Sequence, residues 1–222
     1  MFVFAVASNA PNGGLTTFQG LIIQGLGFSK LQTTLITMPS GGVQLVVCVS
    51  ACYIASSYAN ARFAVMLGCL APTLAGVLGT WLLPQHNPYG RLVCLWITFS
   101  YTATWSLSMS VVTANTAGAT KRGTSAAMLI IGYCLGNFIG PFFFLAEQAP
   151  RYELGAGMML TCIGIQIICI LGTWALLWNR NRKRMASNAT RAHDLVDGQI
   201  RGMNDETDLD NPNFKVHCSE SC

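Results

Sequence analysis

Residues 154–178 read LGAGMMLTCIGIQIICILGTWALLW, a run without one charged side chain. A helix needs about 20 such residues to cross the hydrocarbon core of a bilayer. A surface helix of a soluble protein would carry charge along its wet face instead. Working outward from this run, five more of the same kind precede it, at residues 1–26, 32–55, 63–83, 92–114 and 124–146, again with no charge inside. The charges of this part of the chain are Lys30, Arg62, Arg91, Lys121, Arg122, Glu147, Arg151 and Glu153, and they fall in the gaps between runs. The pattern predicts an all-α integral membrane protein with six transmembrane helices over residues 1–178. A membrane β-barrel would show segments of about ten residues with period-two alternation, and these runs are too long and too continuously apolar for that.

Composition points the same way. Apolar residues make up 52% of the chain and charged ones 10%, against about one quarter charged in ordinary soluble domains. The net charge of +4 arises before residue 179, because the tail carries acidic and basic residues in equal number. The basic excess therefore reports on membrane sidedness, and no nucleic-acid partner is expected. Alternate gaps receive Arg62, then Lys121 and Arg122, then the run Arg180, Arg182, Lys183, Arg184 on one side; Lys30, Arg91 and Arg151 fall on the other. The positive-inside rule puts the first set, the tail and, with six spans, the amino terminus in the cytoplasm. Residues 179–222 hold too few apolar side chains to fold alone, which predicts a disordered cytoplasmic tail. Met1 opens directly onto an apolar run with no basic segment before it, which argues against a cleaved signal peptide. The chain reads as though it starts inside a span, with an upstream part expected ahead of it.

Polar punctuation inside the runs marks the candidate functional residues. Asn9-Ala10-Pro11-Asn12-Gly13-Gly14 interrupts the first run, where proline removes a backbone donor and glycine loosens the helix. Such a break is tolerated in lipid only when packed on protein or lining a cavity. It reads as a cavity group at Asn12, a plain kink, or a loop that splits the segment. In the third run Gly68, Pro72, Gly76 and Gly79 form a small-residue ridge with a proline kink. In the fifth, Gly132, Gly136 and Gly140 recur every four residues and meet Pro141, a ridge that lets another helix approach closely. Tyr133 and Asn137 form a stripe beside it. An amide facing lipid would be costly, so Asn137 must face protein or water, as a cavity group or an interhelical hydrogen bond.

The fourth run is rich in hydroxyls, with Thr98, Thr102, Ser106 and Ser110 on one stripe and Ser100, Thr104 and Ser108 beside it. Serine and threonine can bond back to the preceding turn, so this face serves either helix contact or a polar wall. Tyr101 and Trp105 share a face there. The second run offers Thr33, Thr34, Thr37, Ser40 and Gln44 around Pro39 with the same two readings. Enzyme chemistry is not in view: His86, His193 and His217 have no metal-ligand spacing, no acid lies inside a run, and neither metal nor cofactor is expected. Seven cysteines sit inside the runs as small apolar packers; Cys218 and Cys222 lie in the tail.

Three segments carry a family likeness. Asn115-Thr116-Ala117-Gly118-Ala119-Thr120-Lys121-Arg122, then Ile131-Gly132-Tyr133-Cys134-Leu135-Gly136-Asn137-Phe138-Ile139-Gly140-Pro141, then Gln148-Ala149-Pro150-Arg151-Tyr152 resemble the carboxyl-terminal half of fungal anion:cation symporters. These form the allantoate permease-like branch of the major facilitator superfamily. The resemblance implies spans seven to twelve of a twelve-span secondary transporter, in the plasma membrane, symporting a small organic anion such as a ureide, vitamin or carboxylate with protons. It implies a missing amino-terminal half that holds the charged machinery, while this half supplies cavity walls through Asn12, Tyr101, Trp105, Tyr133 and Asn137. A second copy in a homodimeric six-span transporter, a scaffold, or an inactive truncated product are the alternatives. Two departures stand out: Phe142-Phe143-Phe144 follow the Gly-Pro where relatives often have a polar residue, and Ser57-Tyr58-Ala59-Asn60-Ala61-Arg62 keeps only the base of a normally charged loop.

Overall fold

The computed structural model describes residues 1–188 except 26, 59–60, 85–86, 117, 146–147 and 149–151, with the side chains of 183–188 also left aside. His86, Glu147, Arg151, Asn60 and the tail from residue 189, with His193, His217, Cys218 and Cys222, lie outside the described residues. Among the described residues seven α-helices follow one another: α1 Phe2–Gly25, α2 Lys30–Ser57, α3 Arg62–Leu82, α4 Pro88–Thr98, α5 Tyr101–Ala114, α6 Ala119–Ile139 and α7 Glu153–Asn188, with a 3-10 turn at Gly140–Phe143. Among the described residues there is no strand. Four helical stretches among the described residues are long and apolar enough to cross a membrane: Lys30–Ser57, Arg62–Leu82, Ala119–Phe143 and Glu153–Arg182.

The other two expected spans differ in form. α1 has the length, but its polar centre sets it apart from the apolar four. Pro11 sits inside that helix, which continues unbroken to Gly25, so the reading of a loop splitting the segment is set aside. Asn9 is buried and donates back to the Ala5 carbonyl at 2.8 Å, which leaves Asn12 as the outward-reaching amide of the break. The run 92–114 is not one helix. It divides at Phe99-Ser100, where the N–H groups of Phe99, Ser100, Thr102 and Ala103 each bond to a carbonyl three residues back. Thr98 and Thr102 also turn their hydroxyls onto local carbonyls, at Cys94 and Phe99. Hydroxyl competition for the backbone in this stretch accompanies a tightened turn with no proline or glycine to announce it.

Three further expectations are corrected. Arg91 is not a loop residue: it lies in the second turn of α4, 6% exposed, and its Nε donates to the Thr80 carbonyl at the end of α3 at 3.0 Å. α7 runs ten residues past Trp178, so the basic stretch from Arg180 to Arg184 is helical and does not begin a disordered tail. Of the third-run ridge, Gly76 and Gly79 meet α4, whereas a side chain at Gly68 would meet nothing within 4 Å.

α1 packs along α6, α7 and α5, and α3 packs along α4, α7 and α5. One core joins Phe4 of α1, Met66 and Leu70 of α3, Ala103 and Leu107 of α5, and Ile170 of α7, with Ala51 and Ala55 of α2 at its edge. A second is capped by rings, with Phe18 stacked on Phe144 at 5.5 Å and Tyr152 6.0 Å from Phe144. Phe144, one of the three phenylalanines after Pro141, is thus a buried plug beside Gly14. α2 buries only Thr33, Ser40, Ala51 and Ala55 of its length, which leaves Leu31, Leu35, Met38, Leu45, Val46 and Val49 exposed.

Candidate functional site

The site begins with the seam between α1 and α6. A Cβ on Gly136 would stand 2.6 Å from the Val6 carbonyl oxygen and 3.0 Å from the Ala10 nitrogen. Gly132 and Gly140 face α1 in the same manner, with contacts at Phe2 and Ala10 that lie about two turns of α1 apart. From the other side Gly13 lies against the Asn137 main chain, too close for any side chain. Glycine on both helices therefore brings their backbones together, and only then can the short side chains of Asn12 and Asn137 touch.

Asn12 Nδ2 donates to Asn137 Oδ1 at 2.9 Å. Tyr101, arriving from the start of α5 just after the tightened turn, donates its hydroxyl to Asn12 Oδ1 at 2.8 Å. Asn137 Nδ2 in turn donates to the Tyr133 carbonyl at 2.9 Å. The result is a directional chain, Tyr101 to Asn12 to Asn137 to the α6 backbone, drawn from three helices. Beside it the Trp105 and Tyr133 rings lie 6.0 Å apart, inclined at 31°. All five expected cavity residues are brought together. They grade outward, from Tyr101 at 2% exposure through half-buried Asn12, Asn137 and Trp105 to Tyr133 at 42%.

Along α1 the polar face continues from Asn12 through Thr16 to Gln19, at helical spacing. Gln19 is buried and its Nε2 donates to Ser40 Oγ of α2 at 3.2 Å. Sequence reasoning named Ser40 but missed Gln19, although a lone amide in an apolar run was the signal that found Asn137. Of the hydroxyl stripes on α5, Ser100, Thr104 and Ser108 are buried, and Thr104 donates to the Met66 carbonyl of α3 at 3.2 Å. That stripe is a helix contact. Among the described residues no three His, Cys, Asp or Glu side chains converge as metal ligands would.

Chemically, the Tyr101–Asn12–Asn137 set offers uncharged donors and acceptors. Each amide has two N–H donors and a carbonyl with two lone pairs, so it can hold its neighbour and still meet a ligand. Such a surface suits carboxylate, amide or ureide groups but supplies no formal charge to neutralise an anion. Removing one link should register. Tyr101→Phe is expected to lower the stability of the detergent-purified chain by about 0.5–1.5 kcal/mol, the net worth of one hydrogen bond, measured as a shift in thermal midpoint.

The chain is 35% identical over 218 residues to the MFS-type transporter cnsL of Penicillium expansum, covering 97% of this chain and 44% of that protein. An uncharacterized transporter of Schizosaccharomyces pombe is 32% identical over 91% of this chain and 39% of its own length. Allantoate permease of Saccharomyces cerevisiae is 27% identical over 96% of this chain and 40% of the permease. The chain thus spans about two fifths of the length of these curated relatives. No family model and no solved structure matches it. Membrane-length apolar helices and alignment along nearly all of its length lead to one conclusion: the homologues of this chain are transporters of the MFS type, allantoate permease among them.

Proposed function

We propose that these residues form one six-helix lobe of a secondary transporter that symports a small organic anion with protons, and that Asn12, Tyr101, Trp105, Tyr133 and Asn137 line its substrate path. In this reading α1 and the α4–α5 pair cross the bilayer along with the four apolar helices. The lobe corresponds to spans seven to twelve of the longer relatives. The observation that carries the proposal is the hydrogen-bonded chain from Tyr101 through Asn12 to Asn137, which joins the start of α5, the middle of α1 and the last turn of α6 within the helix bundle. Polar groups inside a membrane bundle are costly unless they serve packing or a ligand. Carriers of this architecture bind substrate at the interface between repeats and rock one against the other.

The exposed apolar faces of α2 and α6, including Leu35, Leu45, Ile131 and Phe138, are the surfaces that a complementary amino-terminal lobe would cover. That lobe would also supply the charge that the polar wall lacks. Basic residues at the start of α3 and α6 and at the end of α7 support a cytoplasmic tail; the plasma membrane is the location that the family resemblance implies. Uptake of labelled allantoate in cells tests the proposal. Cells expressing these 222 residues alone are expected to show none, and cells also supplied with the amino-terminal lobe of a relative are expected to show uptake. Uptake by the chain alone would point instead to a self-partnered carrier. Absence of uptake of every carboxylate and ureide tried with a complementary lobe would overturn the anion reading.

A further inference from the structure

Pro11 leaves a gap in the α1 ladder. A helical residue at position 11 would donate its N–H to the carbonyl four residues back, that of Ala7, and proline has no N–H to give. In an apolar bundle an unpaired backbone carbonyl is costly, since no water stands ready to replace the donor. Ala7 is 4% exposed, so solvent does not reach it. The missing donor comes from another helix: Gln166 of α7, 0% exposed, extends its Nε2 to the Ala7 carbonyl oxygen at 3.2 Å. Gln166 is the one amide in the run 154–178. The hydroxyls of Thr161 and Thr173 on the same helix bond back to α7 itself, at Gly157 and Cys169. Gln166 instead carries its polar head across to α1.

The gap stands directly before Asn12. Downstream of it, the helix must deliver the Asn12 amide within hydrogen-bond distance of both Asn137 and the Tyr101 hydroxyl. A ladder with a missing rung is the usual place for a helix to change direction. We propose that Gln166 is a positioning residue. Its side-chain amide stands in for the backbone donor that Pro11 lacks, and so fixes the direction in which the second part of α1 presents Asn12. The residue acts through Asn12, so its consequence for transport rests on the reading above; its effect on geometry does not.

A double-mutant cycle on the full chain in detergent separates this role from packing. Gln166→Met keeps the length and volume of the side chain and removes the donor, and Pro11→Ala restores the backbone N–H. The first readout is the thermal midpoint. The second is the yield of a disulfide between positions 12 and 137 after Asn12→Cys and Asn137→Cys, identified by mass spectrometry of the linked peptide. Gln166→Met is expected to lower the midpoint and cut the crosslink yield at least threefold when Pro11 is present. It should change neither when Pro11→Ala is present. Equal losses in both backgrounds, or no loss in either, would overturn the proposal. Should the Gln166→Met chain fail to accumulate, its recovery on adding Pro11→Ala supports the role and failure to recover refutes it. Neither readout uses transport, so an inactive carrier and a wrong hinge assignment give different results.

Discussion

Asn12→Leu is expected to abolish uptake in the two-lobe assay while leaving the quantity inserted into membranes unchanged. Asn12 is the middle link: it accepts from Tyr101 and donates to Asn137, on helices far apart in sequence. Leucine fills much of the same space but severs both bonds. Interhelical hydrogen bonds in membranes average about 0.6 kcal/mol, with a maximum near 1.7 kcal/mol. Two of them, plus a Tyr101 hydroxyl stranded at 2% exposure, amount to about 1–3 kcal/mol. For a chain of this size that lowers the thermal midpoint by roughly 3–10 °C, with the folded state still populated at growth temperature. Insertion depends on the apolar runs and so should not change. Loss of uptake with normal insertion separates a wall residue from a folding residue. Asn137→Leu, which breaks the next link, should behave the same way. If both variants transport normally, the amides serve packing alone.

Gly136→Leu has the larger effect on the fold. The Cβ alone would stand 2.6 Å from the Val6 carbonyl oxygen and 2.9 Å from Asn9 Cβ, with three further carbons to place. These neighbours are backbone and buried side chain, neither free to swing aside. α1 must lift off α6, which breaks the Asn12–Asn137 bond and opens the core beside Ala5 and Leu129. Overpacking of this kind costs about 1–3 kcal/mol for modest insertions, and leucine at a backbone contact exceeds that range. The expected outcome is loss of monodisperse protein on size-exclusion chromatography and sharply reduced accumulation. Gly164→Leu on α7 is the control, since a Cβ there meets nothing within 4 Å and the same change of residue type should be tolerated. Equal damage at both positions would show that the close approach of α1 to α6 does not decide the outcome.

These two residues also show what a linear reading can and cannot see. The apolar runs are visible because a bilayer imposes length and uniformity on each helix separately. Asn12 and Asn137 stand out because each is a costly group in such a run, and each had to face protein or a cavity. That they face each other was not legible, since the pairing depends on two glycine seams meeting across 125 positions. The break at Phe99-Ser100 was hidden for a different reason: no helix-breaking residue marks it, and it shows only in the tightened backbone hydrogen bonds of Phe99 to Ala103. Arg91 was placed in a gap because charge marks the edge of a run, yet a cation with a carbonyl partner on the next helix can be drawn inside the bundle. Gln166 resembles a packing residue until Pro11 and Ala7 are seen beside it. Its purpose is set by a defect in another helix.

The contact of α1 with α6 has a consequence for how freely this chain can vary. Where main chain meets main chain, hydrophobicity is no longer the criterion, and bulk of any kind is excluded. Positions 13, 132, 136 and 140 admit almost nothing beyond a hydrogen atom, whereas at Gly157, Gly164 and Gly172 along α7 an added Cβ meets nothing within 4 Å. Random substitution would therefore leave two unlike scars: a narrow line of intolerance down one pair of helices, and broad indifference over another.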